Sequence, residues 1–321
     1  MGKLPDSVVL YEVGPRDGLQ NEAARLTVEQ KLQLVSALAD AGLTRIEVGS
    51  FVKPEWIPQL ADTDQVAKRA PRRDGVTYSA LVPNRHGLDR AMAAGLREVA
   101  VFLSSSETHN LKNTNKTVAQ SIKAFEDLVP IARAHGLTVR GYVSTVWGCP
   151  YEGHVPPLQS LAVASALRDI GVSEVSISDT IGIGNPRQTR EIVDLFLAGT
   201  SSIQGFFAAQ LALHMHDTHG TALANCLAAM ELGIRTFDAS IGGTGGCPYA
   251  PGAAGNLATE DIASMLEGMG VKTGVNLGKL LAAGRLAQGF IGRKLPGRRL
   301  QAAIGTETKD KAEVGLAAAT S

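Results

Sequence analysis

EVAVFLSSSETHNLKNTNKTVAQSIKAFEDLVPIARAHGLTVRGYVSTV (98–146) is the stretch that decides the fold. It opens on EVAVFLSS (98–105), an apolar run without polar alternation, as expected of a strand buried on both faces. A helical pattern follows near 115–135 and stops at His135-Gly136, where a left-handed glycine would end the helix. TVRGYVSTV (138–146) then repeats the strand pattern. Strand, helix and strand in this order form one unit of an α/β fold.

Outward from this stretch the unit recurs. Further strand candidates are VVLYEV (8–13), RIEVGS (45–50), VTYSALV (76–82), EVSISD (174–179), AQLALHMH (209–216) and TFDASI (236–241). Helix candidates lie near 27–41, 60–70, 86–95, 157–170, 186–198, 219–232 and 259–268. In 27–41 the residues Val28, Leu32, Val35, Leu38 and Ala39 fall at three-to-four spacing. Gly42, Gly95, Gly171 and Gly233 close helices as Gly136 does. Eight such repeats predict a (β/α)8 TIM barrel, with the active site at the C-terminal ends of the strands. A doubly wound sheet is the alternative, but GPRDG (14–18) is not the GxGxxG turn such a sheet favours. Residues 276–290 read as extra C-terminal helices, so 1–290 are expected as one catalytic domain. Residues 291–321 are expected as a basic, Ala-rich, partly flexible tail. Its positive run IGRKLPGRRLQ (291–301) reads as a solvated terminus or, alternatively, a contact to an anionic ligand or a neighbouring subunit.

Composition narrows the function classes. The 321 residues are 44% hydrophobic, with 31 Lys+Arg against 31 Asp+Glu and a pI near 7.1, which argues against disorder and against a nucleic-acid partner. No apolar stretch approaches a membrane span, and the start MGKLPDSVVLYEVGPRDG carries no signal h-region. Three cysteines (Cys149, Cys226, Cys247) without a CxxC indicate neither a disulfide frame nor a thiolate metal cluster. The expectation is a cytoplasmic, soluble, globular chain.

Polar residues cluster just after the strand candidates, where a barrel keeps its chemistry. They are Arg16-Asp17, Glu47 with Ser50, Asp179-Thr180, His214-Met215-His216-Asp217, and the loop GGTGGCPYAPGAAGN (242–256). His214 and His216 stand at i and i+2 on a strand, so both imidazoles face one point. A lone histidine there would read as a core residue, whereas the pair points to a metal. Asp17 after strand one and Asn256 after strand eight would come from neighbouring strands of a closed barrel, near the seventh, and complete a set of two nitrogens and two oxygens. That set suits Mg²⁺ or Mn²⁺, with zinc or cobalt also open. Arg16 is either an ion-pair partner or an oxyanion donor. Glu47 ends a buried strand, so it anchors Arg16 or contacts the substrate. Cys247, in a glycine-rich loop over the metal, is an acid/base candidate, while Cys226 and Cys149 read as structural. His109 lies in SSSETHNLKNTNKT (104–117), read as a loop after strand four and a candidate substrate lid.

EVGPRDGLQNE (12–22), HMHDTHGTALAN (214–225) and GGTGGCPYAPGAAGNLATED (242–261) together closely resemble the 3-hydroxy-3-methylglutaryl-CoA (HMG-CoA) lyase family of metal-dependent TIM barrels, in its bacterial form. The resemblance covers about residues 6–290. It implies a divalent metal on Asp17, His214, His216 and Asn256, Arg16 on the thioester carbonyl, and Cys247 as acid/base. It also implies supporting roles for Glu47, Gln20, Asp179 and Glu260. The implied reaction is retro-Claisen cleavage of HMG-CoA to acetyl-CoA and acetoacetate, as in leucine degradation. The base is Asp17, His214 or a bound water. In animal members a lysine follows LQNE; Ala23 stands here, which leaves no cation at that place. An acyl-CoA substrate and a homodimer are further expectations of the resemblance. Two rival readings are a lyase for a related substrate, such as citramalyl-CoA or an isoprenoid-extended homologue, and a catalytically silent barrel. The silent barrel would have lost at least one of the six central residues, and all six are present.

Overall fold

In a computed structural model, residues 4–246 and 255–306 are described here. Eight parallel strands pair in sequence order and close on themselves, β8 beside β1. They are β1 (Val9–Glu12), β2 (Arg45–Ser50), β3 (Thr77–Leu81), β4 (Glu98–Ser104), β5 (Thr138–Ser144), β6 (Glu174–Asp179), β7 (Leu211–Met215) and β8 (Thr236–Ala239). Each overlaps a predicted strand, because the Val, Ile, Thr and aromatic residues that mark these stretches favour the extended backbone.

The surrounding helices are α1 (Val28–Asp40), α2 (Thr63–Arg69), α3 (Arg85–Ala93), α4 (Glu107–Thr114), α5 (Val118–Ala134) and α6 (Pro157–Asp169). They continue with α7 (Pro186–Ala198), α8 (Ala222–Met230), α9 (Thr259–Gly268) and α10 (Leu277–Ile291). Capping boxes open α1 at Thr27/Gln30, α5 at Thr117/Gln120 and α7 at Asn185/Gln188, each satisfying otherwise orphaned backbone N–H groups. The glycines predicted to close helices do so with positive φ, as at Gly42 (98°) and Gly171 (101°). Leu38, Leu88, Leu161 and Phe196 pack the helical layer onto the sheet at full burial.

Inside the barrel the filling is polar. Arg45 on β2 reaches Glu98 on β4 and Glu174 on β6, strands that are not its neighbours, so the pairing crosses the lumen. Arg140 on β5 pairs with Glu174 and with Asp238 on β8, and its guanidinium lies 4.1 Å from the Tyr11 ring centroid. Branched aliphatic layers are the usual filling of such a barrel; here charges replace them, and each is paired because a buried lone charge is costly.

Two expectations need correction. The stretch after β4 is not a loop: Glu107–Thr114 forms α4, with Ser106 capping the His109 N–H at 3.1 Å. Its polar side chains hid the helix, which the apolar periodicity could not signal. The tail also packs in part. Residues 298–306 are helical, and Leu295 and Leu300 are fully buried, because these two leucines in a basic run find an apolar seat on the barrel.

Candidate active site

At the C-terminal end of β1 the chain makes one π-helical turn, Gly14–Gly18, which carries Arg16 and Asp17. Glu12 holds the turn in place. Its Oε1 accepts from the Gly14 and Ile241 N–H groups (2.7 and 2.9 Å), and its Oε2 accepts from the Thr259 hydroxyl at 2.6 Å. A side chain at Gly18 would run into Thr244 and Ser240, so only glycine lets the turn sit this close to the loop after β8.

Arg16 donates through Nε to Glu47 Oε2 at 2.5 Å and through Nη1 to Asp17 Oδ1 at 2.5 Å. Tyr142 donates to the same Glu47 oxygen at 3.2 Å, and the Arg16 guanidinium lies 5.3 Å from its ring centroid. Of the two roles open to Glu47, the anchoring of Arg16 is the one seen. Burial pushes the Glu47 carboxyl up despite Arg16; the guanidinium, desolvated but flanked by Glu47 and Asp17, is held charged.

Asp17 Oδ2 lies 3.9 Å from His214 Nε2 and 4.0 Å from His216 Nε2, and the two imidazole centroids are 5.3 Å apart. One ligand atom from each of the three residues falls within 4.8 Å of the others, a group that could hold a metal ion. The donors suit a divalent cation: one carboxylate oxygen and two imidazole nitrogens at the barrel mouth. Burial raises the Asp17 carboxyl, yet Arg16 and then the imidazoles outweigh it and keep the pKa below the usual value. His214 Nδ1 faces Asp238 Oδ2 at 3.3 Å, the arrangement that turns the other ring nitrogen toward a metal. Asn256 donates Nδ2 to Asp17 Oδ2 at 2.7 Å and to Thr244 O at 3.0 Å, leaving its carbonyl oxygen as the acceptor end of the amide.

A cavity of about 330 Å³ opens above this group. Arg16, Asp17, Gln20, His214 and His216 line its polar part, and Val52, Trp56, Leu81, Phe102 and Phe125 its apolar part. His109 also lines it; Ser104 Oγ lies 2.6 Å from its Nδ1, and burial pulls its pKa down to about 4. The predicted residue Asp179 is buried at the end of β6. It accepts from the Gly182 and Gly184 N–H groups (2.9 and 2.7 Å), while its neighbours Ser178 and Thr180 line the cavity. Glu260 stands behind the loop after β8, accepting from the Gly242 N–H at 3.0 Å; burial pushes its carboxyl up to about 8. Cys247 lies outside the described residues, although Gly246 beside it lines the cavity.

Sequence reasoning missed Asp238, Arg140 and Tyr142. The signal was present in TFDASI (236–241) and TVRGYVSTV (138–146), where a charge interrupts a buried strand. Alternation along the strand sends Arg140 and Tyr142 to the same face.

A closed eight-stranded TIM barrel with a group that could hold a metal ion at its mouth defines the class, a TIM-barrel enzyme. The HMGL-like family model matches residues 7–287, and the chain belongs to that family. Its relatives include hydroxymethylglutaryl-CoA lyase YngG of Bacillus subtilis, 50% identical over 92% of this chain and 97% of that protein. The hydroxymethylglutaryl-CoA lyase of Pseudomonas mevalonii is 44% identical over 97% of each chain. The crystal structure of the B. subtilis HMG-CoA lyase superposes with a TM-score of 0.90 at 49% identity, covering 93% of this chain and 98% of that one. An HMG-CoA lyase from Acinetobacter baumannii, solved with coenzyme A and 3-methylmalate, gives a TM-score of 0.87 at 38% identity over 94% and 97% of the two chains. Among the described residues no helix is long and apolar enough to cross a membrane.

Proposed function

We propose that this protein is a lyase that cleaves HMG-CoA to acetyl-CoA and acetoacetate. The observation that carries the reading is the meeting of Arg16 with Asp17, His214 and His216 on one wall of the cavity. The relatives named as HMG-CoA lyases, and the one solved with coenzyme A, support the substrate class.

A divalent cation, Mg²⁺ or Mn²⁺, held by Asp17, His214, His216 and Asn256 would act as a Lewis acid that polarises the substrate's 3-hydroxyl and carboxylate. Asp17, His214 or a bound water takes the hydroxyl proton. The electron pair of that O–H bond becomes the carbonyl of acetoacetate as C2–C3 breaks, and the pair from C2–C3 passes to the thioester as an enolate. Arg16, already fixed by Glu47, presents its remaining donors to the enolate oxygen without reorganising. Cys247 returns a proton to C2. Gln20, Asp179 and Glu260 support this wall. We place the enzyme in the cytoplasm as a homodimer, as its resemblance to the bacterial enzymes suggests.

The test is release of acetoacetate and acetyl-CoA from HMG-CoA after EDTA treatment and after Mg²⁺ or Mn²⁺ is restored. Turnover that returns only with metal supports the proposal. A chain that binds metal but does not cleave HMG-CoA loses the substrate assignment, and a chain that binds none loses the site.

A further inference from the structure

Three acidic side chains follow closely on the candidate metal ligands: Glu22 five residues after Asp17, Asp217 directly after His216, and Asp261 five residues after Asn256. One short segment, 293–299, takes all three. Arg293 Nε donates to Glu22 Oε2 at 2.9 Å, and its Nη2 pairs with Oε1. Arg298 Nη1 donates to Asp217 Oδ2 at 2.7 Å. The backbone N–H groups of Arg298 and Arg299 donate to the two Asp261 oxygens at 3.0 and 2.6 Å.

The segment is seated as well as paired. Leu295 is fully buried and lies where a side chain at Gly242 would have to go, and the Gly297 N–H donates to Gly242 O at 2.9 Å. At Gly297 a side chain would run into Glu260. Asp217 in turn accepts from the Ala222 N–H at 3.0 Å, and its own N–H reaches Gly255 O at 3.1 Å, next to Asn256. A shift of Arg298 therefore moves a turn that carries His216 on one side and touches Asn256 on the other.

We propose that segment 293–299 is a strap that sets the spacing of the three ligand-bearing segments at the barrel mouth, with Arg293 and Arg298 as its positioning residues. The inference rests on the proposed cation site. Neither arginine touches the cavity group; each acts through an acid on a ligand-bearing element. The strap reaches the ends of β1 and β7 and the start of α9, which are far apart in sequence. Metal affinity depends on such outer contacts because a ligand atom displaced by tenths of an ångström no longer fits the cation.

The test is a Mn²⁺ titration of the full-length metal-free chain, followed by the magnetic resonance signal of free Mn²⁺, with thermal unfolding measured alongside. Compared are wild type, R293Q/R298Q, R293K/R298K and Leu295→Ala. The double Gln variant is expected to raise the Kd for Mn²⁺ about tenfold, and Leu295→Ala to raise it in the same direction. The double Lys variant should largely restore it. The unfolding temperature of R293Q/R298Q should fall modestly with the chain still folded, because the arginines are half-exposed but the Glu22 carboxylate they pair is buried and that of Asp217 largely so. Wild-type affinity in both R293Q/R298Q and Leu295→Ala overturns the strap alone. A wild-type chain that fails to bind Mn²⁺ overturns the cation site and the strap with it.

Discussion

His214 Nδ1 and Asp238 Oδ2 lie 3.3 Å apart, and the same carboxylate takes Arg140 through both oxygens (2.6 and 3.0 Å). The ion pairs crossing the barrel lumen thereby end on a candidate metal ligand. Burial would raise the Asp238 carboxyl, but Arg140 and His214 hold it well below the usual range. It stays an anion facing His214 Nδ1, which leaves Nε2 on the side of Asp17 and the proposed cation. Asp238→Asn should weaken Mn²⁺ binding about 10–100-fold, the usual consequence of losing such a partner. Unchanged affinity in a Mn²⁺ titration would remove Asp238 from the site.

Arg16→Gln keeps the donor set of Asp17 and the histidines but removes the fork of donors that Glu47 aims. The expected loss is about 10²–10³ in kcat, the cost of one oxyanion donor, with Mn²⁺ still bound. Steady-state turnover with metal analysis checks this, and near wild-type kcat would refute the role of Arg16.

His216→Ala removes one of three donors that meet within 4.8 Å. Metal content after dialysis should fall together with activity. Full occupancy by elemental analysis would mean that His216 is not a ligand.

Stability should fall as pH rises through the neutral range. Burial holds the Glu260 carboxyl protonated up to about 8, against an ordinary value of 4.5. Folding therefore takes up a proton between these limits. The contribution is complete below pH 4.5 and is lost as pH rises toward 8, at up to about 1.4 kcal/mol per pH unit for one proton. Denaturant unfolding from pH 5 to 8.5 should show this slope, flattened in Glu260→Gln. The same slope in both proteins would contradict the assignment.

Much of the architecture was legible because it follows from local rules. EVSISD and RIEVGS place β-branched residues at alternate positions, Val175 and Ile177 in one and Ile46 and Val48 in the other, so the strands at 174–179 and 45–50 appear with the predicted limits. His214 and His216 share a face because a strand has a period of two, and that spacing alone predicted their convergence. α4 was missed because its amphipathic signal is weak and its cap, Ser106, sits in a serine run. Asp179 and Glu260 show a different limit. The resemblance implied supporting roles for both, and both hold loops through backbone N–H groups, a detail that depends on which backbone lies nearby.

The order of strands and helices, the mouth of the barrel and the residue types gathered there were determined by sequence, since periodicity and helix caps act over a few residues. Three relationships were decided only by tertiary structure. They are the pairing of Arg16 with Glu47 across 31 positions, of His214 with Asp238, and of Arg298 with Asp217 across 81. Barrel closure brings these partners together, and a charge removed from water must be paired with whatever opposite charge the closed fold places within reach.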